Sequence, residues 1–252
     1  MTQHLLQGRQ DSELLWTQRR GFLKAAAAWT ALGGFTAAEA QARSNVVALS
    51  GDALLNGQRL TVQHTIQTGD RIETGPGSNL VFVVGNASFQ MRQSSSMVVE
   101  RGASLFAVSV LRLIAGGVAS VWGRGGRRLI VTPTLTAGIR GTGVYTEIFA
   151  NQEGRSYFCN CYGTVEMGAG ADRALSQSSY HQAYWGEVAP RNGRMLTAAP
   201  AINHSDEELE FLARLVNQQT AWQTMGYKGI KDGRGYLDNR PGQMHPADML
   251  GK

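Results

Sequence analysis

Short runs of apolar and β-branched residues, separated by glycines, dominate the chain from Val46 to Met167. Examples are LVFVVG, ASFQM, SMVVE, RLIVTP and GVYTEIF. Runs of this length, partly alternating between apolar and polar positions, are typical of an all-β domain rather than of alternating strands and helices. We therefore predict an all-β fold of many short strands over residues 43–170, arranged as a β-sandwich or a solenoid-like stack.

The pattern changes near residue 204. Ser205 can cap a helix with Glu208 completing a capping box, and an apolar stripe follows, which predicts an amphipathic helix over 204–217. The stripe comprises Leu209, Leu212, Leu215 and Val216. We assign 171–203 to a linker or edge segment and 218–252 to a polar, poorly ordered tail. Candidate docking anchors in that tail are Trp222, Tyr227 and Tyr236.

The first 42 residues have the parts of an export signal. A basic stretch, TQRRGFLK, precedes an uncharged Ala- and Gly-rich run and then AQA, which predicts cleavage after Ala42. The apolar run is shorter than the roughly 20 residues of a transmembrane helix. The stretch resembles a twin-arginine export signal, with Gln18 as its departure, in Arg19, Arg20, Phe22, Leu23 and Lys24. We expect a periplasmic protein; the alternative is an amphipathic helix with an incidental arginine pair.

Composition and charge narrow the function classes. The chain has 252 residues, 31 glycines and a formal net charge of +5. Its one arginine cluster, GRGGRR at 123–128, is not interleaved with aromatic residues as a nucleic-acid surface usually is, so we expect no nucleic-acid partner. The sequence also lacks GxSxG, HExxH and P-loop motifs. We therefore expect a protein without enzyme activity and with no catalytic residues.

Cys159 and Cys161, the two cysteines of the chain, stand one residue apart in YFCNCYG. In a strand they share a face, and two thiolates on one face are half of a tetrahedral soft-metal site. A disulfide across one residue is strained, because the extended Cα atoms lie near the upper limit for bridging. Four readings stay open: a small buried pair, bridged or not; a metal or cluster site; a redox-responsive thiol pair; and intermolecular bridging.

The order of glycine motifs across 46–167 resembles the FecR domain, a periplasmic β-rich module first recognised in regulators of ferric citrate uptake. The most specific elements are Gly69, Asp70, Ile72, Thr74 and Gly75, the turn Gly116–Gly117–Val118, Thr132 and Pro133, and Ala137, Ile139, Arg140, Gly141 and Thr142. Gly69–Asp70 suits a tight turn, and Thr132–Pro133 suits a strand end. Arg140 either reaches solvent or pairs with an internal carboxylate.

A subgroup of FecR-domain proteins carries a CxCYG segment, then a histidine-containing stretch, then a histidine before a short acidic helix, and this chain is similar to it. The resemblance implies Cys159, Cys161, His181 and His204 as candidate ligands of a metal. The subgroup often has two adjacent histidines in the middle stretch, whereas here Gln182 follows His181. The identity of any cofactor stays open, with a thiolate-bound metal as the candidate.

The resemblance implies an exported sensor or interaction module of the cell envelope, acting in signalling through a protein partner. Regulators of the family place an anti-sigma segment and a membrane helix before the FecR domain, and neither pattern occurs in this sequence. We expect no transmembrane span in the mature chain. The alternative function is a metal- or redox-active exported protein centred on Cys159 and Cys161.

Overall fold

Strands dominate the described part of the chain, and the all-β prediction is confirmed. The computed structural model describes residues 44–229 except 103, 106 and 127. The predicted signal segment and the tail from residue 230, which includes Tyr236, lie outside these described residues. The strands are β1 (Val46–Ser50), β2 (Ala53–Leu55), β3 (Gln58–Arg59), β4 (Arg71–Thr74), β5 (Asn79–Val84), β6 (Ala87–Met91), β7 (Ser96–Arg101), β8 (Val108–Trp122), β9 (Arg128–Val131), β10 (Thr136–Phe149), β11 (Arg155–Ala169), β12 (Asp172–Ser178), β13 (Gln182–Arg191) and β14 (Arg194–Ala199).

These strands form one hydrogen-bonded sheet. Its main path runs β14-β13-β11-β10-β9-β8-β7-β4-β2-β3, while β12 pairs with β11 and the series β6-β5-β1 branches from β8. The pairing of β8 with β9 is parallel, and the other described pairings are antiparallel. Strands β8, β10 and β11 have 15, 14 and 15 residues, longer than the short strands that the sequence predicts. Each changes partner along one edge: β8 pairs first with β7 and then with β6, β10 with β9 and then β8, and β11 with β13 and then β12.

An irregularity in β10 changes the face of the sheet to which its side chains point. The register between β10 and β11 shifts between Arg140 and Gly143 and again before Val144, and Gly141 has a φ of +62°. Because side chains alternate with period two, such a shift moves later side chains to the opposite face. Ile139 therefore faces one hydrophobic core and Tyr145 the other.

The two faces of the sheet carry separate cores. The first core contains Phe82, Phe89, Trp122, Phe158 and their apolar neighbours. The second core lies between the other face and the C-terminal helices, and it includes Val81, Val121, Tyr145, Tyr157, Cys159, Cys161, Leu209, Leu212 and Trp222. The only two cysteines of the chain thus belong to the core that the helices cover.

Residues 171–229 contain more regular structure than the sequence suggests. Residues 171–203, predicted as a linker or edge segment, form the strands β12, β13 and β14, and β12 and β14 lie at edges of the sheet. The predicted helix is present as α1 (Asp206–Leu215), with Ser205 as N-cap in a capping box. A second helix, α2 (Ala221–Met225), lies inside the predicted polar tail and buries Trp222. Among the described residues, no helix combines the length and apolar character needed to cross a membrane.

Two of the motifs, Gly69–Asp70 and Thr132–Pro133, lie in turns or just after a strand, whereas Gly116–Gly117–Val118, predicted as a turn, lies inside β8 and Ala137–Thr142 lies inside β10. Gly69 has a φ of +104°, and the carboxylate of Asp70 accepts the N–H of Gln67 at 2.8 Å. Just after β9, Thr132 Oγ1 and the backbone of Leu135 exchange two hydrogen bonds. Arg140 is exposed on β10, as the first of its two predicted options requires.

Replacing Phe89 with alanine should destabilise the domain strongly. Phe89 is fully buried and packs on Phe82 and Trp122 with ring centroids 5.0 and 5.1 Å apart. Removing a buried phenylalanine costs about 3–5 kcal/mol, measurable as the free energy of unfolding in urea. The control is Leu175→Ala on β12, whose residue is 60% exposed and should change stability by about 0.5 kcal/mol or less. Equal effects of the two substitutions would contradict the assignment of the first core.

Candidate metal centre

Cys159 and Cys161 lie together on β11 with both thiols in the second core. Because side chains alternate along a strand, Asn160 between them points to the opposite face, where its Nδ2 donates to Ser176 Oγ at 2.9 Å. Both cysteines are fully buried, and no disulfide joins them. The strand therefore presents two thiols side by side on the face that the C-terminal segment covers.

His181 reaches the thiols from the turn between β12 and β13. Its φ of +39° lies in the left-handed region, which costs a non-glycine residue about 1–3 kcal/mol. Its N–H donates to the carbonyl of Cys161 at 2.9 Å, so a main-chain hydrogen bond ties this turn to β11. The imidazole Nδ1 lies 3.6 Å from Cys159 Sγ. Backbone strain of this kind persists where surrounding structure enforces it, and it concentrates at functional sites.

His204 comes from the segment between β14 and α1. Tyr157 fixes the path of that segment, because its hydroxyl donates to Pro200 O at 2.9 Å and accepts the N–H of Ile202 at 3.0 Å. The His204 ring stacks on Tyr145 with centroids 4.9 Å apart. Its position directly before the N-cap Ser205 means that the start of α1 and the placement of His204 are set together.

The fold brings the four sequence-predicted ligands to one point. One donor atom from each of Cys159, Cys161, His181 and His204 lies within 4.8 Å of all the others. The distance from Cys159 Sγ to His181 Nδ1 is 3.6 Å, and that from His181 Nδ1 to His204 Nε2 is 3.0 Å. In a tetrahedral site with zinc–sulfur bonds of about 2.3 Å and zinc–nitrogen bonds of about 2.0 Å, a sulfur and a nitrogen ligand lie roughly 3.5 Å apart and two nitrogen ligands roughly 3.3 Å apart. The donor set thus fits a single tetrahedral ion.

The outward-facing ring nitrogens define the tautomers of both histidines. His181 Nε2 lies 2.9 Å from Asp206 Oδ1, and His204 Nδ1 lies 2.6 Å from Ile202 O. A carboxylate and a carbonyl only accept, so these two nitrogens carry the protons. In the neutral rings His181 Nδ1 and His204 Nε2 are then lone pairs that face each other at 3.0 Å. A proton on one of the two nitrogens, or a metal cation between them, turns this repulsion into attraction.

Asp206 links the ligand His181 to the end of the described chain. Its carboxylate is fully buried and accepts from His181, from Tyr180 Oη at 2.9 Å and from Lys228 Nζ at 2.7 Å. Partial burial by itself lowers the pKa of Lys228, but the hydrogen bond and charge of Asp206 outweigh burial and raise that pKa above its ordinary value. The Lys228 ammonium therefore balances the buried carboxylate. Carboxylates that orient metal-binding imidazoles in this way are typical of metal sites.

The environment of Cys159 favours its thiolate. Burial raises the pKa of this thiol, but its hydrogen bonds with Cys161, His181 and His204 and the charge of a protonated His204 outweigh burial and hold the pKa well below its ordinary value. The thiolate is the form that binds metals. The site therefore supplies the protonation state that a soft divalent ion requires.

Aromatic rings close the site on its remaining sides. Trp222 stacks on His181 at 5.3 Å, and Tyr180 meets the same ring edge-on at 4.7 Å. The two histidines are only 2% and 7% exposed. A closed set of four protein donors, with no position left for a substrate, is the usual form of a structural metal site.

Comparisons with known proteins give a partial likeness in fold. No protein-family model matches the chain, and no curated protein matches it in sequence. Two crystal structures of a candidate anti-sigma factor from Parabacteroides distasonis are similar to it, with TM-scores of 0.40 and 0.39 at 10% and 12% identity. The matches cover 46% and 48% of this chain and 53% and 55% of those chains, so about half of each. Similarity at this level leaves the function to be argued from the chain's own residues.

Two residues of the site escape the sequence patterns. Asp206 reads as an ordinary acidic residue in the first turn of a helix, yet it is the carboxylate partner of His181. Lys228 lies in the predicted tail and pairs with it. The position of Asp206, two residues after the candidate ligand His204, is the one sequence signal that could have indicated such a partner.

Proposed function

We propose that the domain binds one divalent transition-metal ion, zinc by preference, through Cys159, Cys161, His181 and His204. The observation that supports this most directly is the approach of the two imidazole lone pairs to 3.0 Å beside two buried thiols. Each ring holds its proton on the far side, toward a fixed acceptor. A metal ion or a proton between the two nitrogens makes that arrangement favourable, and the two buried thiols beside them favour the metal ion.

The donor chemistry favours zinc over other ions. A tetrahedral set of two thiolates and two imidazoles is characteristic of zinc or of iron–sulfur centres. In a Rieske-type cluster the imidazoles bind one iron and the thiolates the other, which separates thiol from imidazole more than the 3.6 Å between Cys159 and His181. A single ion fits the short distances, and zinc accepts tetrahedral coordination without redox chemistry.

Charge balance supports the same assignment. Two thiolates neutralise a divalent ion, both imidazoles are neutral, and the buried Asp206 carboxylate is paired with Lys228. The loaded site then carries no net charge, which removes most of the penalty of burying ions. Without the ion, the same thiolates would be buried charges lacking a full counterion.

We also propose that the chain is an exported, non-enzymatic interaction module of the cell envelope, in which the metal has a structural role. The support is the resemblance of the glycine motifs over 46–167 to FecR domains and the pattern around Arg19 and Arg20. Export of a folded chain suits a buried centre, because the metal can bind in a reducing compartment before the thiols meet oxidants. A protein partner in signalling follows from the same resemblance.

Elemental analysis of the anaerobically purified full chain should find one zinc per chain. Cys159→Ser and His204→Ala should each lose the metal, whereas His64→Ala should keep it, since His64 is exposed and bonded to Thr61 outside the centre. Cobalt in place of zinc should give tetrahedral ligand-field bands with thiolate charge transfer. Wild-type protein that stays metal-free after refolding with zinc would rule the metal centre out.

Asp206→Asn should weaken zinc binding while leaving all four ligands in place. Loss of a carboxylate partner of a metal-bound imidazole typically costs about 10–100-fold in affinity, measurable by competition with a chromogenic chelator. Glu207→Gln, an exposed neighbour in the same helical turn, is the matched control and should bind zinc like the wild type. Equal affinities of the two variants would show that Asp206 does not orient His181.

Replacing Arg19 and Arg20 together with lysine should stop export of the full chain. Twin-arginine signals are read by a receptor rather than by hydrophobicity, so two conservative substitutions suffice. Cell fractionation should find the variant in the cytoplasm and the wild type in the periplasm. Lysine at Arg9, outside the motif, should leave export unchanged; periplasmic double-lysine protein would contradict the proposal.

A further inference from the structure

Two different sets of contacts hold the C-terminal segment against the sheet. Helix α1 lies over β6, β8 and β10. Arg92 contacts Glu208 at 2.8 Å in a nearly buried ion pair, and Ser88 Oγ donates to Leu212 O at 2.7 Å. None of these contacts involves a ligand of the metal centre. Beyond its first residue, Asp206, which bonds His181, α1 therefore docks on the sheet itself.

Residues 217–229 dock instead on the metal centre. The indole of Trp222 stacks on the ligand His181 and meets Tyr162 and Tyr180 edge-on at 5.6 and 5.5 Å. Lys228 pairs with Asp206, the carboxylate that orients His181. A hydrogen bond of 2.7 Å from Trp222 Nε1 to Glu210 Oε1 joins α2 to α1. The order of this segment thus depends on the orientation of one metal-binding ring.

On the basis of the proposed function, we infer that the metal is a clasp for residues 217–229. Metal binding holds this segment against the domain, and metal loss releases the segment while α1 stays docked. Without the ion the two facing lone pairs repel each other, so one imidazole turns away. Turning His181 removes the surface on which Trp222 stacks and breaks the bond to Asp206. The contacts that hold the His181 backbone in its strained left-handed conformation are then lost, so the backbone can relax.

The clasp works in both directions. Linkage requires that if the metal stabilises the docked segment by some factor, the docked segment raises metal affinity by the same factor. Trp222 is therefore a positioning residue for the centre, although it offers no donor atom to the metal. Residues 217–229 are docked when the metal is bound and released when it is absent. The surface that this segment forms on the domain therefore depends on metal binding.

Hydrogen exchange on the full chain, zinc-loaded and chelator-stripped, tests the clasp. Backbone amides in 200–205 and 218–229 should exchange about 5- to 150-fold faster after stripping, while those of 209–215 and of β6 stay protected. Uniform acceleration across the domain would overturn the clasp, since it reports a general loss of stability. Unchanged exchange with one zinc bound would overturn the clasp alone. Absence of zinc from the wild type would overturn both the clasp and the proposed function.

A pair of variants tests the reciprocal effect. Trp222→Leu should weaken zinc binding by the factor found in hydrogen exchange, and Trp222→Phe, which keeps a ring over His181, should restore most of it. Ser88→Ala is the matched control, because it removes the hydrogen bond from β6 to Leu212 O near the end of α1, away from the four ligands, and should leave zinc affinity unchanged. Wild-type affinity in Trp222→Leu would refute the coupling, as would an equal loss in Ser88→Ala.

Discussion

The approach of His181 Nδ1 to His204 Nε2 at 3.0 Å is the constraint on which the second core depends. Both rings are fixed from behind by acceptors, so neither can relieve the repulsion by changing tautomer alone. A dication between them, completed by Cys159 and Cys161, satisfies every donor at once. The rings of Tyr180 and Trp222, the strained turn at His181 and the start of α1 all surround this proposed ion position.

The sheet also explains why two cysteines one residue apart suit a metal better than a disulfide. Consecutive same-face positions of a strand hold their Cα atoms near the upper limit for bridging, so β11 keeps the thiols adjacent without joining them. The shift in register between Arg140 and Gly143 places Tyr145, in the second half of β10, on the same face of the sheet as the thiols, where its ring stacks on His204. Strand geometry therefore favours coordination over oxidation.

Local patterns predicted the parts of this site but not all of its neighbours. Period-two alternation placed Cys159 and Cys161 on one face, and capping chemistry located α1. His181 and His204 came from resemblance, because no spacing shows that two distant turns meet over β11. The strands within residues 171–203 could not be told from a linker, because an edge strand such as DRALSQS is mostly polar and lacks an apolar run. Lys228 escaped because its partner is distant in sequence and set by tertiary packing alone.

The four ligands are unevenly placed along the chain, with one of them on the segment that covers the other three. Three donors belong to β11 and the turn before β13, and a main-chain hydrogen bond already holds that turn to the strand. The fourth, His204, follows β14 and arrives with the segment that closes over the face. Three ligands therefore precede the segment that carries the fourth and covers the site. An ion bound in the folded domain is enclosed by that segment, so its release requires the segment to move away from the sheet.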